Sequence, residues 1–343
     1  MPQKALILEH SKTLNEIIIS GSYWFRIEMA YGLKRLGFIP SLVQHPNYNF
    51  AKWINGVKFS SKKEISEIKN QIEEFDLVIL LEDIPLKGKL KSTSTSIIYW
   101  DIEGFPNSDS FFEGLVHNIK ENEYEYYGAK FNSAKKVISR FQYHLKKQQL
   151  QFWEVSRIFS AAKNPLIKES IFLPLAAEPE LYNEKDNIRR DIILSLIGST
   201  SRWFQAKQRI EIAKKVLKKF SWPLAYWYGA MPEIEKNNMP KNCYPMGHLD
   251  FFSLPYFLQR SKMVLHIPRP YHLDSGCQSV TIFQAAAAGA IPIHLFGDLK
   301  EANEIGYNYQ DISELENLKQ KKYPENHTYK SRFKEAMEKM GVI

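Results

Sequence analysis

The run DSGCQSVTIFQAAAAGAIPIHLF, residues 274–296, holds three elements in close succession. A polar, glycine-containing loop (274–278) feeds an apolar helix expected over 279–288. Gly289 suits the left-handed residue just past a helix end. The apolar stretch 290–296 then reads as a buried strand. Four small side chains, Ala285 to Ala288, let the helix lie close against a sheet. A polar loop entering a helix N-terminus offers backbone N–H groups and the positive end of a dipole, a pairing that suits phosphate.

The same order of elements extends upstream. A strand over 191–197 ends at Gly198, and a loop through Arg202 leads to a helix with Ile210, Ala213, Leu217 and Phe220 on one face. A strand over 224–228, a loop over 246–250, a short helix over 251–260 and a strand over 261–267 follow. The first half repeats the grammar without repeating the sequence. A strand over 4–8 precedes a helix over 22–36, whose apolar face is Phe25, Met29, Leu33 and Leu36. Strands are expected over 38–44, 75–81, 96–100, 154–162 and 170–176, with helices over 62–74 and 131–150. This alternation predicts an α/β chain with two Rossmann-like, doubly wound domains. The polar segment 183–190 marks the boundary, giving domains at 1–185 and 186–310. Residues 311–343 form a connection and an amphipathic helix, expected over 328–340 with Phe333, Met337 and Met340 on one side.

Composition narrows the class. A chain of 343 residues with 44% hydrophobic content fits two globular domains. The net charge of +8 permits a phosphorylated substrate, an anionic membrane surface or a nucleic acid as partner. Two cysteines, Cys243 and Cys277, support neither a disulfide framework nor zinc spacing, so a reducing, cytoplasmic setting and no metal are expected. No apolar run approaches the roughly 20 residues of a membrane span, and contact with a membrane is expected to be peripheral.

In open parallel sheets ligands bind beyond the carboxyl ends of strands. Asp101 and Glu103 follow such a strand and are candidates for general-base work or for gripping a hydroxylated acceptor. Gly21 and Ser22 occupy the turn after the first strand, where this fold brings phosphate close. Gly198, Ser199, Arg202 and Lys207 form an anion-friendly helix start, one forked donor and one point charge. Ser275, Gly276 and Ser279 form a second. His272 and Asp274 stand in the loop before it and are candidates to touch a donor sugar. His266 and His294 lie in apolar strands and read as buried structural residues.

The segments LPLAAEPELY, IGSTSR, MGHLDFFSLPYFLQRSKMVLHIP and SVTIFQAAAAGAIPI together resemble the nucleotide-sugar domain of GT-B glycosyltransferases, most closely the CgeB-like (spore maturation type) branch. YWDIEGFP resembles that branch's first half, and the likeness is firm over about residues 170–297. The resemblance implies two domains facing across a cleft and metal-independent transfer of a sugar from a nucleotide diphosphate, with UDP- or GDP-sugars the expected donors. It implies that Arg202 and Lys207 hold the diphosphate, that Gly247 and His248 lie near the base, and that Ser275, Gly276 and Ser279 meet the phosphates or the sugar. Gln284 stands where the family has a glutamate for the donor ribose. Gly276 replaces a second glutamate common in retaining relatives, and Thr281 replaces an arginine.

Rival readings remain open. A nicotinamide-dependent oxidoreductase needs a Gly-x-Gly-x-x-Gly turn after a first strand, and neither half has one. A nucleic-acid-binding protein would use the basic charge and abundant aromatics. A catalytically inactive nucleotide-sugar-binding protein would fit Thr281 and Gln284.

Overall fold

The computed structural model describes residues 3–9, 24–43, 58–60, 72–81, 94–102, 157–165, 169–182, 188–198, 206–219, 225–229, 231, 236–237, 239–247, 249 and 253–342. The expected helix over 131–150, and all but the end of that over 62–74, lie outside them.

The first half contributes a seven-stranded sheet. Its strands are β1 (Lys4–Glu9), β2 (Ile39–Val43), β3 (Lys58–Ser60), β4 (Leu77–Leu81), β5 (Ser96–Asp101), β6 (Arg157–Ser160) and β7 (Ile171–Phe172), in the order β3-β2-β1-β4-β5-β6-β7. Every pairing is parallel. Helix α1 (Trp24–Arg35) crosses from β1 to β2. The expected strand over 170–176 pairs at only two residues before the chain leaves the sheet in extended form.

The second half builds a six-stranded parallel sheet from β8 (Ile192–Ile197), β9 (Ala225–Tyr228), β10 (Cys243–Gly247), β11 (Ser261–Leu265), β12 (Ile291–His294) and β13 (Tyr307–Asn308). Its order is β10-β9-β8-β11-β12-β13. The helices are α2 (Ala206–Lys219), α3 (Ser253–Arg260), α4 (Pro270–Ser275), α5 (Val280–Ala287) and α6 (Lys300–Ile305), with α7 (Tyr329–Met340) closing the chain. Two expectations fail here. The first two residues of the loop expected over 246–250 are instead the end of β10, an edge strand that tolerates Pro245. The first part of the loop expected over 274–278 is instead the end of α4, which starts at Pro270 and is capped by left-handed Gly276.

The cores explain how the halves join. One apolar cluster fills the α2 side of the second sheet, with Leu194, Leu196, Trp227, Leu265 and Ile293 meeting Ile210, Ala213 and Leu217. The other cluster is shared between halves. It runs from β1, α1 and β5 through 173–182 and α7 to Ile282, Phe283 and the alanines of α5. The buried ring of Trp100 on β5 packs edge-on against Tyr329 and Phe333 of α7, while its Nε1 donates to the Leu173 carbonyl (3.0 Å). The C-terminal helix therefore docks back on the first half, with Phe333 and Met337 buried as their spacing predicts.

Candidate functional site: the seam between the sheets

In both sheets the strand order reverses beside the first strand, between β1 and β4 and between β8 and β11. Ligand crevices form beyond the carboxyl ends of strands at such points. In the second half this places Gly198 and His266 at the crevice. Gly198 (φ 153°), Gly229 (φ 145°) and Gly247 (φ 81°) end three adjacent strands in backbone conformations that favour glycine. The Gly229 amide donates to the Gly247 carbonyl (2.6 Å), and the Gly198 amide to the Tyr228 carbonyl (2.9 Å), so these ends form one ordered rim.

The α4–α5 junction reaches the first sheet. The Asn164 amide donates to the Ser275 carbonyl (2.9 Å), and the Cys277 thiol lies 3.9 Å from the Ile102 carbonyl oxygen. Gly276 (φ 67°) packs on Lys163, where a Cβ would stand 3.2 Å from the lysine Cβ. Lys163 pairs with Glu301 of α6 (3.3 Å), and Gln278 donates to the same carboxylate (3.0 Å). Sequence reasoning missed this cluster because it joins three distant segments, 163–164, 275–278 and Glu301.

Asp101, at the end of β5, is buried at this seam and accepts from the Ser160 hydroxyl (3.3 Å). Ser279 is the N-cap of α5 and accepts from the Thr281 amide (3.4 Å). His272 is partly buried on α4, and Asp274 is exposed in its last turn. Ser275 is buried, and its hydroxyl accepts from the Cys277 amide (3.2 Å). The structure thus brings Asp101, Ser275, Gly276 and Ser279 to one seam, with Gly198 and Gly247 on the rim of the second sheet. Lys207 lies in the first turn of α2, with its side chain outside the described residues. Gly21, Ser22, Glu103, Ser199, Arg202 and His248 also lie outside them. His266 and His294 are buried, as expected.

Gln284 has a different environment from the one its motif position suggests. It is 1% exposed, and its amide nitrogen donates to Glu28 Oε2 of α1 (2.7 Å). The small residues that follow it press α5 into the core, so position 284 faces the first half. Glu28 Oε1 also accepts from the Tyr182 hydroxyl (3.0 Å) and the Glu178 amide (3.1 Å), and Trp24 Nε1 donates to the Tyr182 oxygen (3.0 Å). Burial pushes the Glu28 carboxyl up to about 8 against these hydrogen bonds. Glu178 itself pairs with Arg35 (2.9 Å) and accepts from the Lys330 amide (2.9 Å). A stripe along α1, Trp24–Glu28–Gly32–Arg35, therefore faces the join. Its spacing was visible in the sequence, but only the sheet-facing apolar stripe was recognised.

No protein-family model matches the chain, and no curated protein matches it in sequence. Among solved structures, AviGT4, a glycosyltransferase involved in avilamycin A biosynthesis, superposes with a TM-score of 0.62 over 99% of this chain and 97% of its own, at 13% identity. The UDP co-structure of MnaA from S. aureus aligns at TM-score 0.47 over 100% of this chain and 98% of its own, at 10% identity. An α-glucosyltransferase in complex with UDP and a 13-mer DNA aligns at 0.46 over 99% of this chain and 91% of its own, at 13% identity. The chain has the GT-B fold, with two parallel sheets and their flanking helices joined along a seam.

Proposed function

We propose that this chain is a glycosyltransferase that moves a sugar from a nucleotide-diphosphate donor, UDP- or GDP-linked, to an acceptor held by the first half. The observation that carries this reading is the seam: the α4–α5 junction of the second sheet meets the strand ends of the first at Ser275–Asn164 and Cys277–Ile102. In the proposal Arg202 and Lys207 neutralise the diphosphate, while the start of α5 at Ser279 faces the phosphates or the sugar. Gly247 and His248 lie beside the base, and the resemblance to the CgeB-like branch supports these assignments. No metal is required, because the two cations and the helix dipole supply the positive charge. Asp101 is buried at the end of β5 and held by the Ser160 hydroxyl. Asp101 and Glu103, two residues on, are the candidates for the general base or for holding the acceptor hydroxyl, Asp101 the first choice for the base in an inverting reaction.

The test is thermal unfolding against UDP-, GDP-, ADP-, CMP- and dTDP-sugars, with NAD(P)H and single-stranded DNA as controls. A donor at ~100 times its dissociation constant stabilises the folded state by roughly 2.7 kcal/mol. Selective stabilisation by one nucleotide sugar, followed by its turnover with release of the nucleotide, supports the reading. Stabilisation by NAD(P)H alone or by DNA alone refutes it. Binding without turnover across an acceptor panel would favour a nucleotide-sugar-binding protein that has lost catalysis.

A further inference from the structure

We propose that the Glu28–Gln284 contact is a proton-operated coupling between the two halves, in which Glu28 gains or loses a proton inside the core and Gln284 turns its amide to match. The geometry carries the argument. Glu28 comes from α1, its partner Gln284 from α5, and its other donors from the segment at 178–182. All of them are buried, so the carboxyl group sits where the two sheets share a core.

A glutamine side chain serves both states of such a partner. Its NH2 donates to a carboxylate, and after a half-turn its carbonyl accepts from a carboxylic acid. A glutamate at 284, the residue the resemblance leads one to expect, would set two carboxyl groups 2.7 Å apart. Glu28 and Gln284 are thus a matched pair, and the departure at 284 follows from the residue across the seam.

Other titratable groups face Glu28, and burial shifts each of them toward its neutral form. Tyr182, Tyr323 and Tyr329 are held well above the ordinary phenol range by burial and by Glu28 itself. His327, nearby against Phe283, is held down by burial and Arg332. Glu178 is pushed up by burial, opposed by the Lys330 amide and by Arg35. Ionising Glu28 therefore leaves an added charge in the shared core and loosens α5 from α1. Its relevance to donor binding rests on the reading of α5 given above, but the coupling itself does not.

The experiment is hydrogen–deuterium exchange, read by peptide and corrected for intrinsic rates, between pH 6.5 and 9.5. In the native sequence, protection of α1 and α5 should fall about tenfold across a midpoint near 8. Glu28→Gln should abolish that transition, and Gln284→Glu should move it to higher pH by adding a second carboxyl. Should Glu28→Gln fail to fold, Tyr182→Phe supplies the second test, because losing a donor to Oε1 should also raise the midpoint. Protection that does not change with pH in the native sequence, or a transition untouched by Gln284→Glu and Tyr182→Phe, overturns the coupling. Neither readout requires a nucleotide sugar, so failure here is distinct from failure of the transferase reading.

Discussion

Gly32 of α1 lies directly beneath Tyr329 of α7: a Cβ added at Gly32 would stand 2.7 Å from the Tyr329 Cβ and 2.7 Å from the Lys330 amide nitrogen. The obstruction is largely backbone, so it cannot be relieved by a side-chain rotation. Gly32→Ala gains ~1 kcal/mol of helix propensity but forces the helices apart, at a cost of about 1–3 kcal/mol. The net expectation is loss of stability and of α7 protection, measured by urea unfolding and hydrogen exchange. A stabilised variant would show that the α1–α7 crossing is loose.

Arg190 ties the end of α5 to the second sheet. Its guanidinium donates to the Ser261 carbonyl (2.7 Å) and the Ala288 carbonyl (2.8 Å), and it packs against Gly289. Arg190→Met should cost about 1.5–3 kcal/mol, the usual range for charge-assisted hydrogen bonds. Arg190→Lys should recover less than half, because a compact ammonium does not reproduce a two-armed fork. Thermal unfolding of the pair checks this, and recovery of most of the lost stability by Arg190→Lys would contradict it.

The pH profile of stability should bend at both ends. Burial, with Lys321 nearby, lowers His294 from 6.5 to about 4. The folded state then binds fewer protons than the unfolded chain, so this contribution is present above pH ~6.5 and is lost as pH falls toward 4. Glu28 has the opposite sign. Its folded value, about 8, exceeds the ordinary 4.5, so its contribution is full below pH ~4.5 and is lost as pH rises through 8. Urea unfolding as a function of pH should show the acid limb flattened by His294→Asn and the alkaline limb flattened by Glu28→Gln. Unchanged limbs in both variants would mean that other groups set the profile.

The donor assignment makes a separate demand. Arg202→Ala and Lys207→Ala should each weaken nucleotide-sugar binding by tenfold or more, since charge-assisted contacts to phosphate contribute about 1.5–3 kcal/mol. Neither should shift the unfolding temperature of the ligand-free protein. Titration calorimetry with the stabilising donor measures the loss, and undiminished affinity in both variants would move the diphosphate elsewhere.

Where the chain forms uninterrupted apolar runs, the sequence and the structure coincide. β1, β4, β5, β8 and β12 fall where expected because strands buried on both faces admit little but apolar residues. Gly289 stops α5 as its position implied, with φ 78°. The failures are equally physical. β10 reads CYPMG, with a proline in its middle, and its last two residues read as loop; it is a strand because a sheet edge accepts proline. Six-residue α4 has too few residues to show a period. Gln284 could be recognised by its motif, yet its partner Glu28 lies 256 positions away, and no local pattern announces a contact at that range.

The return of α7 to α1 has a mechanical consequence. The chain crosses between the sheets first beyond Tyr182 and again before Thr328, and Tyr323 on that second passage ties it to the segment leading into the first, accepting from the Ala177 amide (3.0 Å) and donating to the His327 carbonyl (2.6 Å). Two chain passages that are bonded to each other constrain the join more than either would alone. With its two crossings bonded to each other, the chain carries the second sheet on paired struts, and a substitution at Tyr323, far from the crevice, bears on both at once.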